Sequence, residues 1–303
     1  MKRLISLCAA ALCASLIGPA RADDTSNGDI SDPSYLPTRH RLIATTGFGY
    51  GKSSGDVDSA AGTFDHSFEN QAHVWSQLLA FGLTEQFSLG VRYTHADFDS
   101  RYQFASGAER TAHPDGGALV LGGTYRLLDQ KDHGFNFDLS GAIGASGSLS
   151  AAISRRDADF TAVARAGLYH VRSDSGFDLV RGGDVTVDDW WGYFANISAQ
   201  YRPVRRFGLD FSVGYSSSNF TGGHASTLIA AQDTPFHIKY VDSLDLGVAA
   251  SLQIVPDRIV ARLGIGYSFL GKRHDDFGGT ALDTATARRT ARSVGLAITY
   301  AIY

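Results

Sequence analysis

The feature that most constrains this chain is the one-by-one alternation of apolar and polar residues over long stretches. In 207–215 (FGLDFSVGY), Phe207 and Leu209 alternate with Gly208 and Asp210, and the pattern continues to the end of the stretch. Successive side chains of a β-strand point to opposite faces, so the alternation predicts strands with one apolar and one polar face. Similar stretches lie at 87–93, 119–127, 135–143, 191–201, 244–254, 259–269 and 294–302.

These stretches are longer than the strands of most soluble proteins. Globular strands most often have about 5–6 residues, whereas a tilted strand that crosses a bilayer needs about 9–11. A soluble β-sandwich would show the same alternation with its apolar face turned inward. The connections favour a membrane barrel, because short and long ones alternate as periplasmic turns and external loops do. Short connections lie near 82–86, 129–134, 154–158, 203–206 and 255–258, and long ones near 51–69, 98–115, 172–188, 217–236 and 271–288.

The sequence therefore predicts an all-β fold, a transmembrane antiparallel up-and-down β-barrel of about twelve strands. An even number of strands returns both ends of the chain to the periplasm. The weakest strand is 147–153, and if it is a loop the count becomes ten or fourteen. The predicted strands are 40–50, 69–81, 86–97, 116–127, 135–144, 147–153, 159–171, 189–202, 206–217, 238–254, 259–270 and 289–303.

The beginning of the chain has the features of a cleaved signal peptide. A positively charged start is followed by an apolar run and by the small-x-small sequence Ala20-Arg21-Ala22, the pattern of a secretory signal. We expect a signal peptide at 1–22, a short periplasmic leader at 23–38 and the outer-membrane barrel at 39–303. Both cysteines lie within the signal peptide, so the remaining chain has no disulfide. The net charge of -4 gives no reason to expect nucleic-acid binding.

Two parts of the chain resemble the strand–turn–strand units of Gram-negative outer-membrane channels. The first is FGLTEQFSLGVRY (81–93), and the second is GGTYRLLDQ (122–130) followed by FNFDLSGAIG (135–144). With these segments, the chain resembles channel-type barrels such as the meta-pathway phenol-degradation transporter family. The resemblance implies an outer-membrane location and contact with membrane lipid and lipopolysaccharide. It also implies assembly by periplasmic chaperones and the barrel-assembly machinery, with the final Tyr303 as the assembly signal.

Charged residues on the polar face of the predicted strands would point into the lumen. Charge there is less costly than charge against lipid. Arg92, Arg165 and Asp245 either set the electrostatic field of a pore or form cross-strand ion pairs in a narrow barrel. The full set of pore-lining candidates is Arg41, Arg92, Arg165, Asp245 and Arg262.

Four other inward charges lie near the predicted turns. We expect structural ion pairs there, Arg126 with Asp138 and Arg202 with Asp210. Such pairs would fill the lumen near its periplasmic end without taking part in solute passage.

No arrangement of residues indicates an enzyme, a metal site or a cofactor. Barrel hydrolases need Ser and His with a group that orients the His. Here His95 and Asp97 share the outward face of Tyr93, and His170 shares that of Leu168. The acid-rich loop 172–189 is interpreted as a solvated loop, and no phosphate-binding, zinc or dinucleotide motif occurs.

The leading hypothesis for function is an outer-membrane channel for passive passage of small solutes, with organic acids implied by the family resemblance alone. The alternative is a non-transporting barrel that acts through its external loops in adhesion or structure, and a hydrolase is a third. An inward fold of 98–115 or 172–188 would plug the barrel and separate the first two. The sequence leaves homo-oligomerisation open.

Overall fold

The computed structural model describes most of the chain after the predicted signal peptide. The described residues are 30–58, 63–144, 146–171, 174–179, 183–187, 190–204, 206–219, 223–225, 234–238, 241–277 and 284–302. Among these residues, no helix combines the length and the apolar character needed to cross a bilayer. Tyr303 and the predicted signal peptide lie outside the described residues, so both remain predictions.

Strands make up nearly all of the described chain. They are β1 Leu42–Asp58, β2 Phe64–Gly82, β3 Phe87–Phe104, β4 Glu109–Ala112, β5 Asp115–Leu128, β6 Asn136–Gly144, β7 Ser146–Arg156, β8 Phe160–Val171, β9 Asp174–Asp178, β10 Gly183–Val187, β11 Trp190–Val204, β12 Phe207–Asn219, β13 Gly223–Ala225, β14 Thr234–Ile238, β15 Val241–Val255, β16 Ile259–Phe277 and β17 Thr284–Ile302. One short helix, α1 Gln130–His133, lies in the turn between β5 and β6.

Twelve long strands close into an antiparallel barrel, as the sequence predicts. They are β1, β2, β3, β5, β6, β7, β8, β11, β12, β15, β16 and β17. The first and last strands pair along their length, from Leu42 opposite Ile302 to Asp58 opposite Thr286. Across this seam the Oγ1 atoms of Thr45 and Thr299 lie 3.0 Å apart on the inner face. Closure satisfies the backbone of every wall strand, which the apolar layer of a membrane requires.

The strand predicted with least support, 147–153, is present as β7, and it pairs with β6 through a very short connection. Several strands also extend beyond their predicted ends into the segments expected to be long loops. β1 reaches Asp58, and β3 reaches Phe104 before β4 pairs back onto it. Their outward face is polar, whereas Val57, Phe98 and Tyr102 are buried on the inner face, so the apolar side chains are turned inward there. Backbone pairing continues beyond the outward apolar band.

The outward face carries the apolar side chains in a band bordered by aromatic residues. On β11, Tyr193 and Tyr201 are both exposed and lie eight positions apart. At about 3.3 Å per residue and a tilt of about 40°, this corresponds to roughly 20 Å, close to the ~25 Å apolar band of outer-membrane barrels. Trp75 and Tyr93 contact each other edge-on, with ring centroids 5.6 Å apart, on the same side as Tyr193. The band therefore fits the outward face to a bilayer.

The two ends of the barrel differ. The periplasmic end has the short turns, such as the one containing α1, which Asp129 caps by accepting from Lys131 N at 2.8 Å. The opposite end carries β9, β10, β13 and β14, where β10 pairs with both β9 and β13, and β14 pairs with β13 and β16. These short strands form the extracellular rim.

Candidate functional site

The candidate site is the lumen of the barrel, which is lined by the polar faces of the wall strands. Small residues make room for the larger side chains on this face. A Cβ atom at Gly192 would collide with the ring of Tyr169 on the neighbouring strand. The Tyr169 hydroxyl donates to the carbonyl oxygen of Ser217 at 3.4 Å. Three layers of side chains follow one another from the periplasmic end to the extracellular end.

The periplasmic layer contains the N-terminal segment, defined here as Ile30–Thr38. Ile30 and Tyr35 pack against Ile43 of β1 and Val260 of β16, and all four side chains are buried. The segment passes close to β2, where a Cβ atom at Gly82 would collide with the carbonyl oxygen of Thr38. The sequence predicted a periplasmic leader at 23–38, and its described part lies inside the mouth of the barrel.

Asp32 holds the N-terminal segment to the wall. Its side chain is fully buried. Oδ2 accepts from Thr161 Oγ1 at 2.7 Å and from Arg202 Nη2 at 2.9 Å, and it lies 3.4 Å from Arg156 Nε. Oδ1 accepts from the backbone N and the hydroxyl of Ser34, at 2.9 and 2.7 Å. One carboxylate thus joins three wall strands to a segment outside the sheet.

A second contact ties the segment to a buried ion pair. Arg126 Nε donates to Asp138 Oδ1 at 2.9 Å, and both side chains are almost fully buried. Arg126 also donates from Nη2 to the carbonyl oxygen of Ser34 at 2.7 Å. The structure thus brings together Arg126 and Asp138, which the sequence pairs, and adds a partner from the N-terminal segment.

The other expected pair has partners that the sequence did not indicate. Arg202 lies within an irregularity of the β11–β12 ladder, between Tyr201 and Val204, and donates to Asp32. Asp210 is opposite Gln200 in the register, accepts from its Nε2 at 3.1 Å and lies 3.4 Å from Arg262 Nε. The irregularity carries Arg202 toward the turn, where the N-terminal segment supplies a carboxylate.

Arg41 and Arg262 also belong to this periplasmic layer. Arg41 is buried, donates to the carbonyl oxygen of Asp257 at 2.7 Å and lies over the ring of Tyr35 at 5.5 Å. Arg262 remains partly exposed beside Asp210. Of these two pore-lining candidates, Arg262 borders open space and Arg41 braces the turn beneath the N-terminal segment.

The middle layer carries two arginines on strands that lie four strands apart in the wall. Arg92 on β3 and Arg165 on β8 are half-buried, each five positions above the periplasmic start of its strand. They interact electrostatically, and because β5, β6 and β7 separate their strands, the interaction crosses the lumen. Higher in the wall, Asp245 accepts a hydrogen bond from the Ser268 hydroxyl. Arg165 also interacts with Asp138, which is itself paired with Arg126, so the middle of the lumen carries two guanidinium groups with Asp245 above them.

The extracellular layer contains Leu179, which follows β9 in the loop expected at 172–188. Its side chain is 6% exposed and packs against Val74, Ala96 and Phe98 on the inner face. Its carbonyl oxygen accepts from Asn70 Nδ2 and from the Tyr102 hydroxyl, both at 3.1 Å. This part of the loop therefore folds inward and narrows the lumen.

His95 and Asp97 lie on the outward face, as the sequence predicts. His95 Nε2 is 3.2 Å from Asp97 Oδ1, and Asp115 is opposite Asp97 in the register. The three residues offer ligand atoms within 4.8 Å of one another, the kind of spacing a metal ion needs. The sequence did not indicate that Asp115 joins them, and the absence of a metal site remains a prediction.

Comparison with known proteins agrees with this architecture. No family model and no curated protein matches the sequence. An outer membrane channel from Pseudomonas putida F1 has a TM-score of 0.54 at 11% identity, with 93% of this chain and 100% of the channel covered. The transport unit of the autotransporter AIDA-I from Escherichia coli has a TM-score of 0.54 at 12% identity, with 95% and 97% covered.

The chain has the fold of an outer-membrane β-barrel. The predicted resemblance to channel-type barrels is confirmed at the level of the fold. The outer membrane protease OmpT from Escherichia coli also matches, at 11% identity over 88% of this chain and 98% of the protease. Its TM-score of 0.39 is too low to carry an argument about function.

Sequence reasoning missed two residues that shape the lumen of this barrel, Asp32 and Leu179. Asp32 stands in a Ser-, Asp- and Pro-rich leader, and Leu179 stands in an acid-rich loop. Neither residue differs in type from its sequence neighbours, so the sequence did not mark either one as a lumen residue. One available signal was that Asp32 and Ser34 have the spacing of a local side-chain-to-backbone turn.

Proposed function

We propose that this outer-membrane barrel is a channel for the passive passage of small solutes. The observation that carries the proposal is the contrast between the two faces of the wall. The outward face is apolar, whereas the inward face has Arg92 and Arg165 half-buried among small polar residues. Charge is tolerated on a wet lumen and is costly against lipid. A wall built only to pack would fill its middle layer with apolar side chains.

The charge of the middle layer supports a preference for anions, with small organic acids as the solute class. Arg92 and Arg165 reinforce each other's positive potential across the lumen, and a ring of positive side chains favours anion entry. Asp245 lies higher and is engaged by Ser268. An anion that entered the middle layer would meet two guanidinium groups, while the neighbouring Asp138 is already paired with Arg126.

In this proposal the structure corresponds to a closed state. The N-terminal segment fills the periplasmic mouth, and Leu179 narrows the extracellular end. Both are held by side-chain contacts, outside the hydrogen-bonded ladder of the wall. Their release would open the lumen without breaking the barrel.

The test is the current through the refolded chain in a planar bilayer with asymmetric KCl. We expect discrete current steps, with a reversal potential shifted toward the equilibrium potential of chloride. A folded and inserted barrel that shows no steps at any voltage, both in the full mature chain and after deletion of residues 23–36, would contradict the channel. Steps with a cation preference would keep the channel and overturn the anion preference.

A second candidate is a non-transporting surface barrel, favoured by the inward position of Leu179 and by the buried N-terminal segment. It predicts a silent barrel even after residues 23–36 are deleted, whereas the channel predicts that this deletion raises the current. Ester and peptide hydrolysis assays on the same preparation test the third alternative, a hydrolase.

We also propose that the chain reaches the outer membrane through a signal peptide cleaved after Ala22, with assembly by periplasmic chaperones and the barrel-assembly machinery. The fold supports the destination, since closed barrels with an apolar outward band span membranes. The mass of the purified protein tests the cleavage site. A mass that includes residues before Asp23 would contradict it.

A further inference from the structure

The site around Asp32 is built by the barrel wall and occupied by a residue from outside the wall. Thr161 is on β8, Arg202 on β11 and Arg156 on β7, and all three reach the same carboxylate oxygen. Thr161 and Arg202 are both more than nine-tenths buried. The ligand they hold belongs to a segment that precedes the first strand.

The chemistry of the three wall residues is that of a carboxylate receptor. Guanidinium groups bind carboxylates with strong charge-assisted hydrogen bonds, and a hydroxyl adds a third donor. The side chain of Asp beyond Cα is an acetate group, so Asp32 presents to the wall what a small free carboxylate would present. Buried guanidinium groups without an anion are unfavourable, so the site selects for one.

We propose that Arg156, Arg202 and Thr161 form a binding site for small organic carboxylates, which Asp32 occupies as a built-in ligand that holds the N-terminal segment in the mouth. This inference rests on the proposed function, because it assigns a solute class to the same lumen. A carboxylate solute and Asp32 compete for one site. Solute binding therefore favours release of the segment by mass action.

Because of this competition, only carboxylate solutes should release the N-terminal segment from the mouth of the barrel. A neutral solute of the same shape gains nothing from the guanidinium groups and leaves Asp32 in place. A carboxylate that binds the wall only when Asp32 has left shifts the population toward the open mouth, in proportion to its affinity for that state.

The first experiment removes the built-in ligand and offers a free one. We would measure the thermal midpoint of the refolded D32A variant with acetate and with acetamide at equal ionic strength. At acetate ten times its dissociation constant, D32A should gain about 2–4 °C, and acetamide should give none. Wild type, with its site filled, and the exposed turn variant D132A should not gain. Equal midpoints of D32A in acetate and acetamide would overturn the proposal.

A second measurement keeps Asp32 and does not depend on the stability of D32A. The chain after residue 22 has no cysteine, so P33C introduces a single thiol directly after Asp32, at a position that is half-buried in the mouth. Acetate should raise the rate of thiol labelling of P33C several-fold, and acetamide should not. Adding T161V, which removes one hydrogen bond to Asp32, should raise the rate without acetate. A labelling rate that changes neither with acetate nor with T161V would contradict the proposed site.

Conductance recorded on the same preparations separates this inference from the proposed function. If wild type and D32A both show current steps but acetate changes neither the thermal midpoint of D32A nor the labelling rate of P33C, the carboxylate site is wrong and the channel is supported. An acetate effect on both, with no steps in any variant, supports the site and overturns the channel.

Discussion

Replacing Leu179 with Ala should release the loop from the extracellular end of the lumen. The Leu179 side chain is 6% exposed and contacts Val74, Ala96 and Phe98. Alanine lacks three of its carbon atoms, and each buried carbon is worth about 0.8 kcal/mol, so the docked state should lose about 2 kcal/mol. That changes the ratio of docked to released loop by about 30-fold. The carbonyl contacts from Asn70 and Tyr102 involve the backbone of Leu179, so they remain available in the variant.

The measurement is the fraction of time that single L179A molecules spend at the larger conductance level in a planar bilayer. L168A is the matched control, because Leu168 is exposed on the outward face of β8 and does not belong to the described cluster around Leu179. Y102F removes the hydroxyl that donates to Leu179 O, and the loss of about 1 kcal/mol should change the same ratio about fivefold.

Two results would refute this reasoning. If L179A and L168A spent equal time at the larger level, Leu179 would not limit the lumen. If Y102F had a larger effect than L179A, the hydrogen bonds rather than apolar contact would hold the loop, since a net hydrogen bond is worth less than burial of most of a leucine.

Three further predictions concern the wall. R126M should destabilise the barrel by about 3–5 kcal/mol, because it leaves Asp138 buried and unpaired, and the double variant R126M/D138L should recover most of the loss in urea unfolding in lipid vesicles. Ile265 is exposed in the middle of β16, so I265R should cost about 2–4 kcal/mol in the same assay, and a neutral result would place it outside the hydrocarbon. R92Q should move the reversal potential toward zero, because it removes one guanidinium group from the lumen. Arg292 is exposed and shares the outward face of Val294 on β17, so R292Q should leave the reversal potential unchanged.

Much of the fold could be predicted from the sequence, because alternate residues of each wall strand face lipid and the lumen and differ in polarity accordingly. The alternation in 259–269 persists in β16, and even the weakly marked 147–153 is a strand. The ends of β1 and β3 were not predicted, because the outward apolar face that marks a membrane-spanning strand is lost there. Their apolar residues, such as Val57 and Tyr102, are buried on the inner face instead. Backbone pairing extends these strands beyond the outward apolar band.

The candidate site was predictable only in part. Arg92 and Arg165 were placed on the inner face by their phase in the strands, and their interaction across the lumen required the barrel to close. Arg126 and Asp138 could be paired because they flank one turn. Arg202 could not be matched with Asp32, since the two are separated by 170 positions in the chain.

The sequence by itself determined the wall strands, their two faces and the closed sheet. The strands and faces depend on neighbouring residues within one strand, and closure depends on an even number of strands that brings both ends of the chain to the same side. Tertiary structure decided what occupies the lumen. Asp32 and Leu179 are unremarkable in their own segments, and each becomes a buried contact only when distant strands are brought around it. The physical reason is that the lumen is lined by residues from every wall strand, and these residues are far apart in the chain. A residue that fills the lumen can therefore be recognised only after the barrel has closed.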